Sequence, residues 1–309
     1  MAKTPGQDPV TFGERAEYAA VATGLAVLAL LPFRWRVPAA GWLMSHVVAP
    51  LTDMRQRISD NLDLVCPDMP AADRAHLLRE VPDNLGRLFI ELFSPRDLWE
   101  LAGRTPFGGE GLAALDAARA EGRPVIVVSG HFGNYDVFRA GLIRRGFDVG
   151  ALYRPMNNRL FNARYERAIS QVGERLFPRG QSGFMAMIRH VKARRTLALL
   201  PDQHMGHGAP LRFFGKPAHT ALSAAQLALK YDALLVPIYA IRQPDGTSFR
   251  IEVEPPVPHG TEEEMMQAVN DSLEAQVRRH MGQWLWTHRR WKTRGAPRRS
   301  SPREDPAAG

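Results

Sequence analysis

The chain has 309 residues, 45% hydrophobic and 23% charged, with a formal charge of +8 at pH 7. This composition is globular and leaves room for one large domain with flanking segments. It excludes a wholly disordered chain, and no internal repeat is visible. A single cysteine, Cys66, excludes an internal disulfide, so the fold does not depend on an oxidising compartment.

The positive excess is concentrated. Nine Arg or Lys and no Asp or Glu lie between Arg278 and Arg303. A basic run suits nucleic acid, anionic lipid or an acidic protein, and charge alone does not choose among them.

In chain order, the first feature is an uncharged run of fourteen residues from Tyr18 to Leu31, closed by Arg34-Trp35-Arg36. Its apolar residues run all round a helix, which favours a membrane anchor with a cytoplasmic C-terminal side over a buried core helix. The mixed charge ahead of it does not fit a signal peptide. Residues 38–115 read as helices broken at Pro67, Pro70, Pro82 and Pro95. From there strands and helices alternate. Strands are predicted at 124–129, 147–153, 196–200, 234–241 and 248–254. Helices are predicted at 135–144, 160–172, 182–193, 220–231 and 262–281. This pattern predicts an α/β fold with a mixed, largely parallel sheet flanked by helices, whose ligands sit at the carboxyl ends of strands. The expected organisation is an N-terminal segment with the anchor helix at 1–37, a single α/β domain at 38–294 and a basic tail at 295–309.

The loop after the first of these strands reads Ser129-Gly130-His131-Phe132-Gly133-Asn134-Tyr135-Asp136. A neutral His takes a proton from an alcohol near pH 7, and a carboxylate on its other nitrogen fixes the tautomer. Five positions exceed helical neighbour spacing. His131 and Asp136 therefore meet only if the His lies in the loop and the Asp in the first helical turn. Free N–H groups at that helix start are a candidate cradle for an oxyanion. Taken alone, the pair reads more readily as a loop His making an ordinary hydrogen bond and a helix N-terminal acid.

Further blocks follow in order. They are Tyr153-Arg154-Pro155-Met156-Asn157, Leu199-Leu200-Pro201-Asp202-Gln203, Phe213-Phe214-Gly215-Lys216-Pro217 with Thr220, and Trp284 to Arg294. Together with VIVVSGHFGNYD (residues 125–136), they make the chain resemble the late acyltransferases of lipid A biosynthesis over roughly residues 15–294. The Arg55 to Leu62 segment looks similar too. The resemblance implies a glycerolipid-acyltransferase-like fold at the cytoplasmic face of the inner membrane. It also implies an acyl carrier protein thioester as donor, a hydroxyl of a lipid A precursor as acceptor, and no metal or organic cofactor. By position, His131 becomes the general base and Asp136 its orienting carboxylate. Arg154 becomes an anion or transition-state contact, and Asp202 and Gln203 line the pocket. Asn134 is a further candidate substrate contact. Phe177-Pro178-Arg179-Gly180 departs from the Phe-Pro-Glu-Gly block of glycerolipid enzymes, so Arg179 is offered only as a phosphate contact.

Phe213-Phe214-Gly215 suits an acyl tunnel wall or plain packing. Trp284, Trp286 and Trp291 among Arg289, Arg290, Lys292 and Arg294 suit nucleic acid or a membrane interface. With an anchor in the chain, anionic lipid of the inner membrane is favoured and nucleic acid is not. His204 and His207 would need a third ligand to hold a metal. The competing functions are acyl transfer to a glycerolipid, ornithine lipid or glycosyl lipid, a non-enzymatic binder of anionic lipid or nucleic acid, and a metal-dependent hydrolase.

Overall fold

The computed structural model of the protein describes residues 10–292. The basic tail assigned to 295–309 lies outside the described residues, as do residues 1–9. The elements run α1 (Phe12–Ala29), α2 (Phe33–Leu43), α3 (Met54–Val65), α4 (Ala71–Leu92), α5 (Pro95–Arg104), β1 (Phe107–Gly108), α6 (Leu112–Ala120), β2 (Val125–Val128), α7 (Tyr135–Arg144) and β3 (Val149–Tyr153). They continue as α8 (Arg159–Ser170), β4 (Leu176–Pro178), α9 (Gln181–Lys192), β5 (Thr196–Leu199), β6 (Ala209–Phe213), β7 (Lys216–Thr220), α10 (Ser223–Tyr231), β8 (Leu234–Arg242), β9 (Phe249–Val253) and α11 (Glu262–Arg279).

Among the described residues, seven strands form one sheet in the order β1-β9-β8-β2-β5-β3-β4. Every neighbouring pair is parallel except β8 and β9, an antiparallel hairpin turning at Asp245-Gly246. The central strands are apolar on both faces because helices cover both. Val125 and Val127 pack with α5, α6 and α7, while Ile126 and Val128 pack with α9, α10 and α11. Each such buried side chain stabilises the fold by about 1.5–3 kcal/mol relative to exposure. β6 and β7 form a separate hairpin.

The expected mixed, largely parallel sheet flanked by helices is therefore present. Two expectations are corrected. No helix among the described residues is long and apolar enough to cross a membrane. The uncharged run is divided, with α1 ending at Ala29 and α2 beginning after Pro32. The Arg36 guanidinium closes the break by donating to Ala29 O and Leu31 O. In addition, α4 continues through Pro82, which is buried within it, because packing against α2 outweighs one lost backbone bond.

Buried charge holds the helical layer to the sheet. Glu91 of α4 is fully buried and accepts from both terminal nitrogens of Arg242 on β8, at 2.6 and 2.8 Å. It also accepts from Asn134 Nδ2 at 2.8 Å. Removing one partner leaves the other charge buried and unpaired. Glu91→Ala is thus expected to cost about 3–5 kcal/mol, read as a fall in urea midpoint. A loss below 1 kcal/mol would show that the pair is not what ties α4 to β8.

Candidate active site

β2 and β5 are parallel neighbours in register, with Val128 opposite Leu199. Three residues beyond each strand end lie His131 and Asp202. The register therefore brings them together at the carboxyl edge of the sheet, where such folds bind ligands. His131 Nδ1 and Asp202 Oδ1 are 2.7 Å apart, and the His131 backbone N–H donates to Asp202 Oδ2 at 2.8 Å. Asp202 is 3% exposed. Burial alone would raise its pKa, but the facing His131 and the bonds from its ring, its backbone and Trp284 outweigh that. The carboxyl is held down at about 2.

With Nδ1–H donated to Asp202, Nε2 of His131 carries the free lone pair. The amide nitrogen of Gln203 stands 3.3 Å from it. A group so placed abstracts a proton from a hydroxyl.

The loop that carries His131 is clamped by backbone bonds. His131 O accepts from Leu285 N, Gly133 N donates to Gln283 O, and Phe132 bridges Trp284. Gly133 has φ +54°, and a Cβ there would lie 1.9 Å from Ala240 O, so no other residue fits this turn without movement.

Asp136 does not fill the role expected of it. Both ring nitrogens of His131 are met by other groups. The Asp136 carboxylate instead accepts from Arg139 Nε at 2.5 Å, and both side chains are about 5% exposed or less. Arg139 also donates to Ile169 O at 2.7 Å and Gly173 O at 3.3 Å, tying α7 to the end of α8. The physical reason is direction: Asp136 is in the first turn of α7 and points along the helix to its i+3 neighbour. Asn134 is corrected as well. It is fully buried, caps α7 through Asp136 N and bonds Glu91, so it is not a substrate contact here. Of the α7 N–H groups expected to be free, two are engaged, Asp136 N by Asn134 Oδ1 and Val137 N by Asn134 O.

A cavity of about 470 Å³ opens beside His131. Its inner wall is apolar, from Phe138, Ile169, Leu176 and Ala198, with Tyr135 and Tyr165 adding two hydroxyls. Burial keeps both phenols neutral, Tyr165 being pushed up to about 12. Arg154 and Arg179 are exposed and line the cavity. Arg154 donates to Asn157 at 2.9 Å, and the Arg179 guanidinium lies 3.7 Å from the Met205 sulfur. The structure thus gathers His131, Gln203, Arg154 and Arg179, together with Asp136, in the lining of one cavity, while Asp202 is paired with His131 and is not itself part of that lining, contrary to expectation. A larger open depression of about 1090 Å³ between α5 and β4 has acids and arginines in its wall but no histidine.

The aromatic C-terminal segment is not an interface. Trp284, Trp286 and Trp291 are 2%, 0% and 7% exposed and pack with Phe213 and Phe214. Each indole N–H has an acceptor: Asp202 for Trp284, Met281 O for Trp286 and Phe213 O for Trp291. Arg290 is fully buried on His219 O and Thr220 Oγ1. Phe213-Phe214 is packing rather than tunnel wall. Asn61 of the Arg55 to Leu62 block donates to Trp286 O and His288 O. Among the described residues no group of three or more His, Cys, Asp or Glu is placed to hold a metal ion.

His288 gives a pH-dependent stability. Its Nε2 accepts from His204 N at 2.9 Å, and burial pushes it from 6.5 to about 4, with Asp202 opposing. The folded pKa lies below the unfolded one, so the contribution is complete above pH 6.5 and is lost as pH falls towards 4. His190, His204 and His280 shift the same way. His288→Gln is expected to remove on the order of 2 kcal/mol of the stability difference between pH 7 and pH 4.5, measured by urea unfolding. An unchanged difference would mean that His288 is not held neutral.

The sequence model of the family described as bacterial lipid A biosynthesis acyltransferase matches residues 12–293. The chain is similar to the lipid A biosynthesis palmitoleoyltransferase of Escherichia coli (strain K12), 26% identical over 262 residues, 82% of this chain and 84% of the relative. It is similar to a lipid A biosynthesis acyltransferase of Haemophilus influenzae, 25% identical over 265 residues and 82% of each chain. It is also similar to the phosphatidylinositol mannoside acyltransferase of Mycobacterium tuberculosis (strain H37Rv), 22% identical over 242 residues, 76% of this chain and 77% of the relative. A match across nearly all described residues, on a fold that sets a His–carboxylate pair beside an apolar cavity, places the chain in the family of bacterial lipid A biosynthesis acyltransferases.

Proposed function

We propose that the chain moves a fatty acyl group from an acyl carrier protein thioester to a hydroxyl of a lipid A precursor, as a secondary acylation. His131 is the general base and Asp202 its orienting carboxylate. The observation that carries this reading is the 2.7 Å His131–Asp202 pair opening on an apolar cavity with cationic residues in its lining. The palmitoleoyl transfer named for the E. coli relative supports a fatty acyl donor and a lipid A acceptor.

The acceptor hydroxyl takes the place of the Gln203 amide at His131 Nε2. Its proton passes to Nε2 as its oxygen attacks the thioester carbonyl. The tetrahedral oxyanion collapses, the C–S bond breaks, and the thiolate recovers the proton from Nε2. Ionised Asp202 stabilises the transient imidazolium. With Asn134 taking up two N–H groups at the start of α7, the oxyanion is met by side chains, the Gln203 amide first and Arg154 second. An acidic carrier protein docks against exposed Arg154 and Arg179.

We place the chain at the cytoplasmic face of the inner membrane, held in the interface rather than across it. Leu30, Trp35, Trp42 and Leu51 are more than half exposed along one stretch of chain, with Arg34 exposed beside them. Trp and Arg suit headgroup depth. The other end of α1 packs on α8, where Asn158, next to the cavity-lining Asn157, donates to Glu14 O and Glu17.

The test is product mass. Protein incubated with a mixed-chain acyl carrier protein pool and a lipid A precursor lacking secondary chains should add one acyl group. His131→Ala and Asp202→Asn should each lower kcat by about 10²–10⁴-fold at a native melting temperature. Asp136→Asn should instead lower stability by about 3 kcal/mol by stranding Arg139. Full activity in Asp202→Asn would remove Asp202 from the mechanism. The mycobacterial relative favours a second acceptor class, a glycosylated phospholipid, and the same assay with that acceptor decides between them. For the membrane, the double variant Trp35→Ser, Trp42→Ser should float at least tenfold less with anionic vesicles, yet turn over detergent-solubilised acceptor normally. Unchanged flotation would refute the interfacial placement.

A further inference from the structure

Asp202 is the most constrained carboxylate near the cavity, and two of its three bonds come from His131 itself. The third comes from far along the chain. Trp284 Nε1 donates to Asp202 Oδ2 at 3.0 Å, with both side chains buried. Trp284 is fixed on every side. Its ring lies 4.8 Å from Trp286 and 5.2 Å from Phe213, centroid to centroid, and its backbone bridges Phe132, the residue after His131. The next residue, Leu285, donates to His131 O at 3.1 Å. One short segment thus holds the base by its backbone and the carboxylate by its side chain.

We propose that Trp284 is a positioning residue that completes a His131–Asp202–Trp284 relay, fixing the carboxylate that orients the base and setting how strongly that carboxylate attracts the ring proton. This rests on the reading of His131 as general base.

The chemistry is specific to the indole N–H. Asp202 Oδ2 takes the His131 backbone and Trp284 donors, and Oδ1 takes the ring. A carboxylate so bonded is ionised and held in one plane, aiming Oδ1 at Nδ1. Loss of the indole donor returns electron density and rotational freedom to the carboxylate. It then attracts the imidazolium proton more strongly and aims the ring less well. The other groups facing the pair do not replace that donor. Tyr135 of α7 meets the His131 ring edge-on at 5.6 Å, and the hydroxyl of Tyr239 on β8 is paired with that of Ser272. His288 accepts from His204 N, and Arg290 gives its two terminal nitrogens to His219 O and Thr220 Oγ1, while its buried Nε makes no hydrogen bond to Asp202 or to any other described residue.

The test compares Trp284→Phe with Trp286→Phe. Trp286 sits in the same cluster, equally buried, but gives its N–H to Met281 O. Trp284→Phe should lower kcat about tenfold, the scale of one hydrogen bond to a charged group, with KM within about twofold. The titration midpoint of the His131–Asp202 pair, followed by ring-carbon NMR on the resting protein, should rise by about 0.5–1 unit. Trp286→Phe should leave that midpoint in place. If Trp284→Phe does not fold, replacement of Trp284 by 3-benzothienylalanine keeps the ring volume and removes only the donor, with the same expectations. An unmoved midpoint in the folded variant, or equal shifts in both variants, overturns the relay. The NMR readout needs no turnover. Absence of acyl transfer by the unaltered protein would therefore fail the functional reading alone, while the midpoint still decides the relay.

Discussion

A carboxylate buried at the edge of a parallel sheet cannot stay charged without donors, and the protein supplies three to Asp202 from two distant stretches of chain. This requirement organises what surrounds it. The His131 loop must present both its backbone and its ring. The C-terminal segment must return across the sheet edge to offer an indole. The aromatic cluster must be rigid enough to hold that indole still. Trp286, Trp291 and Phe213 make sense in this light: they anchor one hydrogen bond on a dry carboxylate, where it is electrostatically strong.

Two further buried ion pairs flank the same loop and do a different job. Glu91–Arg242 reaches Asn134 just before α7, and Asp136–Arg139 lies just inside it. Buried pairs give little net stability over apolar packing, but each fixes a geometry because misplacement strands a charge. α7 is therefore held at its start by one pair and docked on α8 by the other. The HxxxxD spacing is satisfied by this arrangement: the His works at the cavity, and the Asp fixes the helix that follows it.

Much of this was legible in the sequence, for identifiable reasons. The run from Val125 to Val128 reads as a buried strand because helices cover both its faces, and His131 stands out because it leaves that strand at its carboxyl end. The partner of His131 was not legible. Proximity in sequence favours Asp136, whereas the actual neighbour depends on β5 lying beside β2, a strand order that one sequence does not encode. Asp202 was singled out as a pocket residue, so the signal existed: two parallel strands ending in Val128 and Leu199, each followed three residues later by a titratable group. The Trp and Arg cluster misled because the same composition serves a membrane interface and a core in which each of the three indoles has an acceptor and Arg290 is buried on two more. The β6–β7 hairpin was hidden by Pro210 and Pro217, which depress any strand reading. The N-terminal run deceived by its lack of charge, since Pro32 and the capping Arg36 fold it back before it is long enough to span.

The capped start of α7 limits how the site can handle negative charge. In many α/β enzymes the helix after the catalytic strand offers free N–H groups to an anion. Here Asn134 occupies two of them, and its amide nitrogen is committed to Glu91, so opening the cap gives up a bond to a buried carboxylate. Polar side chains stand nearer to hand for a negative charge beside His131. Gln203 stands at Nε2, and Arg154 lies in the lining of the same cavity. An amide and a guanidinium are adjustable where a helix end is not. The two side chains can move while the His131–Asp202 axis, held by its buried bonds, stays fixed behind them.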